Sequence, residues 1–373
     1  KAKQLVKDVI HSAEEKGMLL LSCGTYDNTL RREIQSMNDE KFIGDSFPEN
    51  GIPLVNLGGA PPGQVKTGRK IFITDSSFSE AQQTRAPFKT ETALRIFKLL
   101  SAAGGRSGII RDCDFFIYDK AHQKIFSACR ETGLKFPQMA AWIRCRKEDI
   151  ETAIDLKVQR VSLVMPCSDY QIFLKMKMNR QEAVNHYKKC ISELLDKGLE
   201  IKCSLEDITR ADMHEFVLPL INELCKIAGQ KELRFRLCDT LGLGMPFKRV
   251  DFPRGIPSLL CSIMSRTPLK TENLEWHGHN DLQLATANAI SAWLHGCMYV
   301  NGTVLGTGER SSVAATEALL LHWIGLTGEN SEVDFMAMSE LIEIMKSETN
   351  AKSNEFAKLF DDENIDVSTG IHA

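Results

Sequence analysis

From Lys70 onward, short apolar runs rich in β-branched residues alternate with longer segments of helical period. The runs fall at 70–75, 108–112, 136–143, 159–165, 200–205, 233–238, 274–279 and 297–303. Between them lie helical segments such as 90–103, 180–195 and 281–295, with Thr90 and Asp281 as N-caps and Gly104 and Gly296 as stops. Parallel strands need a crossover between them, so eight such units over about 250 residues predict an α/β fold, a (β/α)8 TIM barrel. A doubly wound open sheet gives a similar alternation, and the third run, with Pro137 near its start, is the least regular.

Outside this pattern, residues 1–67 read as an N-terminal extension. A helical start over 2–16 leads into a Gly- and Pro-rich stretch ending in Gly58-Gly59-Ala60-Pro61-Pro62-Gly63. The barrel is expected over 68–328, followed by a C-terminal helical segment, 329–373, with helices at 334–346 and 354–360. A net charge of −3 gives no sign of a nucleic-acid or membrane-surface partner. The apolar run Met18–Leu21 is too short for a membrane span. Eleven scattered cysteines without a Cys-x-x-Cys pair point to reduced thiols and a cytoplasmic setting.

Trp276-His277-Gly278-His279-Asn280-Asp281 is the most telling local motif. Two histidines one residue apart share a face of a strand, and inside a barrel both imidazoles face inward, needing hydrogen-bond partners or an ion. In a barrel, chemistry gathers at the C-terminal strand ends. Asp75 then closes the first strand with Ser79 and Glu80 in its loop; Arg111 and Asp112 close the second; Arg144 and Arg146 follow the third. Ser204 and Glu206 close the fifth, Asp239 and Thr240 the sixth, and Gly302–Arg310 follow the eighth. Taken singly, Glu80 is a carboxylate ligand or a solvated loop acid, and Glu206 a general acid/base or the charge partner of an arginine. The run Gly302–Arg310 cradles a phosphate or a CoA diphosphate or makes a tight strand-to-helix turn, and the arginines bind substrate carboxylates or pair with rim acids.

In chain order, Asp75-Ser76-Ser77-Phe78, Ser204-Leu205-Glu206-Asp207, His277-Gly278-His279-Asn280-Asp281 and Gly306-Thr307-Gly308-Glu309-Arg310 resemble the DRE-TIM metallolyase family. That family contains isopropylmalate, homocitrate and citramalate synthases and hydroxymethylglutaryl-CoA lyase. Thr84-Arg85-Ala86-Pro87, Ser168-Asp169-Tyr170 with Ile172-Phe173-Leu174-Lys175, and Glu206–Asp212 are similar to the branch holding Re-citrate synthase and phosphinomethylmalate synthase.

The resemblance implies a divalent metal (Mn²⁺, Mg²⁺ or Zn²⁺), acetyl-CoA as co-substrate, and condensation of its acetyl group with a 2-oxo dicarboxylic acid resembling oxaloacetate, releasing CoA. It casts His277 and His279 as metal ligands, Glu206 in the acid/base machinery, Ser204 and Thr240 on substrate oxygens, and Gln83 and Asp75 around the metal. It also sets the loop with Gly306, Gly308, Glu309 and Arg310 at the CoA entrance, and implies a homodimer touching through the C-terminal helices.

Three positions depart from the family pattern. Ser79 stands for its catalytic arginine, Glu80 for its metal-binding aspartate, and Val313 for its metal-binding asparagine. Glu80, His277 and His279 still make a two-histidine, one-carboxylate face. Arg85, Arg111 or Lys202 would have to supply the missing cation, with Arg144 as a further substrate contact. The sequence therefore leaves three readings: an active synthase, a barrel that has lost catalysis and keeps a binding or regulatory role, and a hydroxy-acyl-CoA lyase. The lyases carry a cysteine in the loop after the eighth strand, and this chain has none beyond Cys297.

Overall fold

The computed structural model describes residues 70–83, 86–329 and 332–349. Its eight strands are β1 (Phe72–Phe78), β2 (Ile110–Phe116), β3 (Gln138–Arg144), β4 (Arg160–Pro166), β5 (Glu200–Glu206), β6 (Arg234–Asp239), β7 (Leu274–Gly278) and β8 (Tyr299–Gly302). All pair in parallel and in sequence order, and β8 pairs back with β1, so the sheet closes. Closure leaves no free edge and excludes the open-sheet alternative.

The helices after β1 to β7 are α1 (Thr90–Ala103), α2 (Lys120–Glu131), α3 (Lys147–Asp155), α4 (Arg180–Asp196), α5 (Leu218–Ala228), α6 (Ile256–Arg266) and α7 (Ala285–His295); α8 (Thr316–Thr327) and α9 (Phe335–Thr349) follow β8. In α1, Ala93, Ile96, Phe97, Leu100 and Ala103 line one buried face. That face meets the outer side of β1 and β2 in an aromatic cluster, where Phe78 stacks on Phe115 at 4.4 Å between ring centroids and Phe97 sits edge-on to both. A capping box between Asn179 and Glu182 starts α4, and Pro219 and Pro257 sit in the first turns of α5 and α6.

The chain divides into a unit holding the barrel, with described residues 70–319 and 333–349, and a smaller one that includes 320–329 and 332. Within the first, α9 packs on α1. No helix among the described residues is long and apolar enough to cross a membrane. The expected helices at 2–16 and 354–360 lie outside the described residues.

Two strand boundaries differ from the sequence reading in a way that matters for the site. β1 runs on past Asp75 to Phe78, and β2 runs past Asp112 to Phe116. An acidic residue suggests a strand end, but inside a barrel it can point inward and find a cation from across the lumen. Asp112 is met by Arg160 and Arg234, and Asp114 by Lys202 and Arg236. The helix before Gly296 likewise begins at Ala285 rather than Asp281, which pairs with Arg310 instead of capping.

Candidate active site

Along β7 the inward face carries Glu275 and His277, and His279 continues the alternation just beyond the strand end. The backbone N–H of His279 donates to Asp239 O at 3.1 Å, which holds this residue against the end of β6. Both histidines are buried, and their rings meet edge to face at 5.2 Å. Glu80 comes from the short turn Glu80–Gln82 after β1, with Oε1 3.7 Å from His279 Nε2. Each of Glu80, His277 and His279 offers a donor atom, and these atoms lie within 4.8 Å of one another.

The environment fixes the protonation of this trio. Asn301 on β8 donates from Nδ2 to Thr74 O and Oγ1, so its Oδ1 faces the other way and can only accept. That oxygen receives Ser76 Oγ at 2.8 Å and His277 Nδ1 at 2.6 Å. His277 is therefore protonated on Nδ1, and its Nε2 carries the lone pair. Burial, then the nearby Arg236 charge, lowers the His277 pKa to about 4; burial, then His277, lowers that of His279 well below the ordinary value. Burial, then the Glu309 charge, raises the Glu80 pKa to about 7.

Two neutral imidazoles and a carboxyl without a cationic partner at bonding distance are poorly satisfied by protein alone, and His279 Nδ1 has no hydrogen-bond partner. A divalent cation fits this donor set, which is the two-histidine, one-carboxylate type. Gln83 supports it, donating from Nε2 to Glu80 Oε2 at 2.8 Å. Gly308 lets the loop after β8 approach, since a Cβ there would sit 3.0 Å from Glu80 Cγ. Val313 forms an antiparallel bridge with His279, so an apolar side chain occupies the place beside that imidazole. Ser79 is fully buried and turns its Oγ to Ser76 O at 3.3 Å.

Glu206 ends β5, and burial raises its pKa even though Lys175 Nζ lies 3.2 Å from its Oε2. Lys175 comes from the turn Tyr170–Lys175 after β4. The same turn is tied down by Ser168 Oγ, which donates at 2.5 Å to Asp207 Oδ2; Asp207 itself adopts a left-handed backbone with φ of 66°. The Ser168–Lys175 stretch is thus the physical counterpart of Glu206-Asp207, which the sequence showed only as two separate motifs. Sequence reasoning passed over Asn301 and gave Lys175 no role. The signal for Asn301 was a polar residue two before Thr303 on the inward face of an apolar strand; for Lys175 it was the branch motif Ile172-Phe173-Leu174-Lys175, which does not show its partner.

The loop after β8 carries four left-handed residues, Leu305, Gly306, Arg310 and Ser312, of which only Gly306 is a glycine. Such a run is held in place by its contacts rather than by preference. Ser312 O accepts from Asn280 N at 2.7 Å, Arg310 pairs with Asp281 at 2.8 Å and reaches Thr240 O, and Glu309 N faces Glu80 Oε1 at 3.5 Å.

Other sequence candidates are placed differently. Arg111 is the second residue of β2, at the N-terminal end of the barrel, where it stacks between Phe72 and Phe136; the extension of β2 to Phe116 moves it away from the site. Lys202 lies deep in the barrel, 3.0 Å from Asp114 and 3.5 Å from Glu275, so its charge is already paired. Asp75 is on the opposite face of β1 from Ser76, and its carboxylate is taken by Ser77 N and Thr316 Oγ1. Arg144 does end β3, but it is held bidentately by Asp149 at 2.8 Å. Ser204 shares a 3.0 Å hydrogen bond with Ser162, and Thr240 Oγ1 receives Asp207 N at 2.8 Å. Arg85 lies outside the described residues.

A family model described as HMGL-like matches residues 72–345. The Citrate (Re)-synthase of Clostridium kluyveri is 34% identical over 85% of this chain and 70% of its own length. The 2-phosphinomethylmalate synthase of Streptomyces hygroscopicus is 30% identical over 91% of this chain and 78% of its own. Among solved structures, hydroxymethylglutaryl-CoA lyase from Pseudomonas aeruginosa superposes with a TM-score of 0.60 at 17% identity, covering 78% of this chain and 97% of the lyase, which is a likeness of fold.

Proposed function

Because the chain belongs to the HMGL-like family, we propose that it is a metal-dependent synthase that joins acetyl-CoA to a 2-oxo dicarboxylic acid of the oxaloacetate class. The observation that carries the reading is the buried, uncompensated trio of Glu80, His277 and His279 at the same barrel end as Glu206. The balanced reaction consumes acetyl-CoA, the oxo acid and water, and yields a hydroxy tricarboxylate and free CoA.

Glu80, His277 and His279 would hold a divalent ion, which would supply Lewis acidity toward the oxo acid. Asn301 orients His277, and Gln83 orients Glu80. Glu206 takes the proton of the acetyl methyl group at Oε1, because Oε2 is held by Lys175. Lys175 offsets negative charge beside Glu206, in part of the role an arginine at position 79 would play. Gly306, Gly308, Glu309 and Arg310 border the CoA side, and Ser204 and Thr240 complete the polar wall. With this reading go a homodimer, a cytoplasmic setting, and an extension (1–67), barrel (68–328) and helical tail (329–373).

A second reading, a barrel that binds these ligands without turnover, is favoured by Ser79 and by the apolar Val313 beside His279. The lyase reading is weaker, since the relatives of higher identity are named as synthases. The test is CoA release from acetyl-CoA by the pure protein, with Mn²⁺, Mg²⁺ or Zn²⁺, without oxygen, over a panel of 2-oxo acids. Release that requires both metal and oxo acid, and is lost in Glu206→Gln, is the expected result. Bound metal without CoA release for any oxo acid would establish the second reading instead.

A further inference from the structure

We propose that Cys145, His186 and Cys190 form a second metal site, for a thiophilic cation of the zinc class, that ties the end of β3 to α4. Cys145 directly follows Arg144, the last residue of β3. His186 and Cys190 are four residues apart on α4, so they lie on one face of that helix, one turn apart. The donor atoms of the three side chains all lie within 4.8 Å of one another. In a tetrahedral zinc site, bonds of about 2.3 Å to sulfur and about 2.0 Å to nitrogen put ligand atoms roughly 3.5–3.8 Å apart. The separations of up to 4.8 Å would contract toward that range on binding.

The Cys145 thiol donates to Val164 O at 3.4 Å, a contact that loading would replace. Two further features suit an ion. The His186 Nε2 lies 2.7 Å from the backbone carbonyl oxygen of Cys145, which can only accept, so Nε2 carries the proton and Nδ1 the lone pair. An imidazole whose other nitrogen donates to a carbonyl is the usual outer support of a metal-bound histidine. Both cysteines are buried while His186 is half-buried, so the cluster reaches solvent on its histidine side. Two thiolates neutralise one divalent cation, and loading releases the thiol protons to water.

The chemistry separates this cluster from the candidate active site. Thiolate sulfur selects zinc-like ions over magnesium or manganese, whereas Glu80, His277 and His279 offer no sulfur. The position gives it a consequence: Cys145 lies between Arg144, whose guanidinium grips Asp149 at the catalytic end, and the start of α3. An ion here would pin that loop to α4.

The probe is Cd²⁺ titrated into the reduced full-length protein, read by thiolate-to-cadmium charge-transfer absorbance in the ultraviolet. One equivalent should produce the band in the unaltered protein and in His277→Ala, which removes a donor from the candidate active site only. Cys190→Ser should lose the band, and His186→Ala should weaken binding by about tenfold or more. Absence of the band in the unaltered protein overturns the proposal, as does a band unchanged in both variants. Should Cys190→Ser fail to fold by circular dichroism, the half-buried His186→Ala variant decides alone, with unweakened binding counting against the site.

Discussion

The barrel interior has two regions with opposite electrostatic character. Toward the N-terminal end, Asp112, Asp114 and Glu275 are matched by Arg160, Lys202, Arg234 and Arg236, with Lys202 3.0 Å from Asp114 and Arg236 2.5 Å from Glu275. Burial pushes the Glu275 carboxyl up, but Arg236, Lys202 and Arg234 outweigh it and hold the group below the ordinary carboxylate range; Asp112 follows the same pattern, with Arg234 the main cation. At the C-terminal end, burial outweighs the Glu309 N–H and arginine charges near Glu80 and the Lys175 charge beside Glu206, and both are raised. The lower layer is an ionic network in which acids and cations are paired at 2.5–3.5 Å, although Arg236 Nη1 has no hydrogen-bond partner. The upper layer is a set of donors waiting for a cation and a proton. Neighbouring layers of one lumen thus divide the work, one specifying the fold and the other available for chemistry.

Substitutions can break this contrast. The largest effect on chemistry is expected at Glu206→Gln, which should lower kcat by on the order of 10²–10⁴ with unfolding free energy little changed, read by CoA release and urea denaturation. The largest effect on stability belongs to the lower layer. Asp114→Ala leaves Lys202 and Arg236 with one acceptor fewer and should cost about 3–5 kcal/mol. If Asp114→Ala unfolds no more easily than His277→Ala, the two layers are not distinct.

Asn301→Ala sharpens the boundary between them. It removes the acceptor that fixes the His277 tautomer, and metal affinity by calorimetry should fall about 10–100-fold. The smallest effect is on pH dependence. The folded-state pKa of Asp112 lies below its ordinary value, so its contribution to stability is present above the ordinary aspartate range and fades as pH falls through and below it. Denaturation midpoints measured between about pH 6 and pH 3 should therefore drop less steeply in Asp112→Asn than in the unaltered protein. Equal slopes would place the acid sensitivity elsewhere.

Much of this was legible in the sequence. The eight strands fall close to where β-branched runs put them, and the His-x-His alternation identified an inward-facing pair on β7. Glu80 and Gln83 came from a motif comparison and meet in space by a 2.8 Å hydrogen bond. The sequence erred where a buried acid was taken for a strand end. Asp112, which points into the lumen, seemed to close β2 and so put Arg111 at the wrong end of the barrel, while Asp75, which the resemblance set around the metal, lies mid-strand on the outer face of β1, held by Ser77 and Thr316. A carboxylate inside a lumen depends on cations contributed by other strands, and one strand's sequence carries no record of them.

The sequence by itself determined the alternation of elements, hence parallel strands with helical crossovers, and the residue types able to hold a cation and move a proton. Those follow from local periodicity and side-chain chemistry. Closure of the sheet came with the pairing of β8 on β1. Only the tertiary structure decided which charges cancel. Lys202 and Glu206 stand on the same face of one strand, four residues apart, yet the first is spent on Asp114 while the second stays protonatable beside Lys175 from another turn. That difference arises from the register of β5 against its neighbours and from burial, quantities that exist only once the barrel has closed.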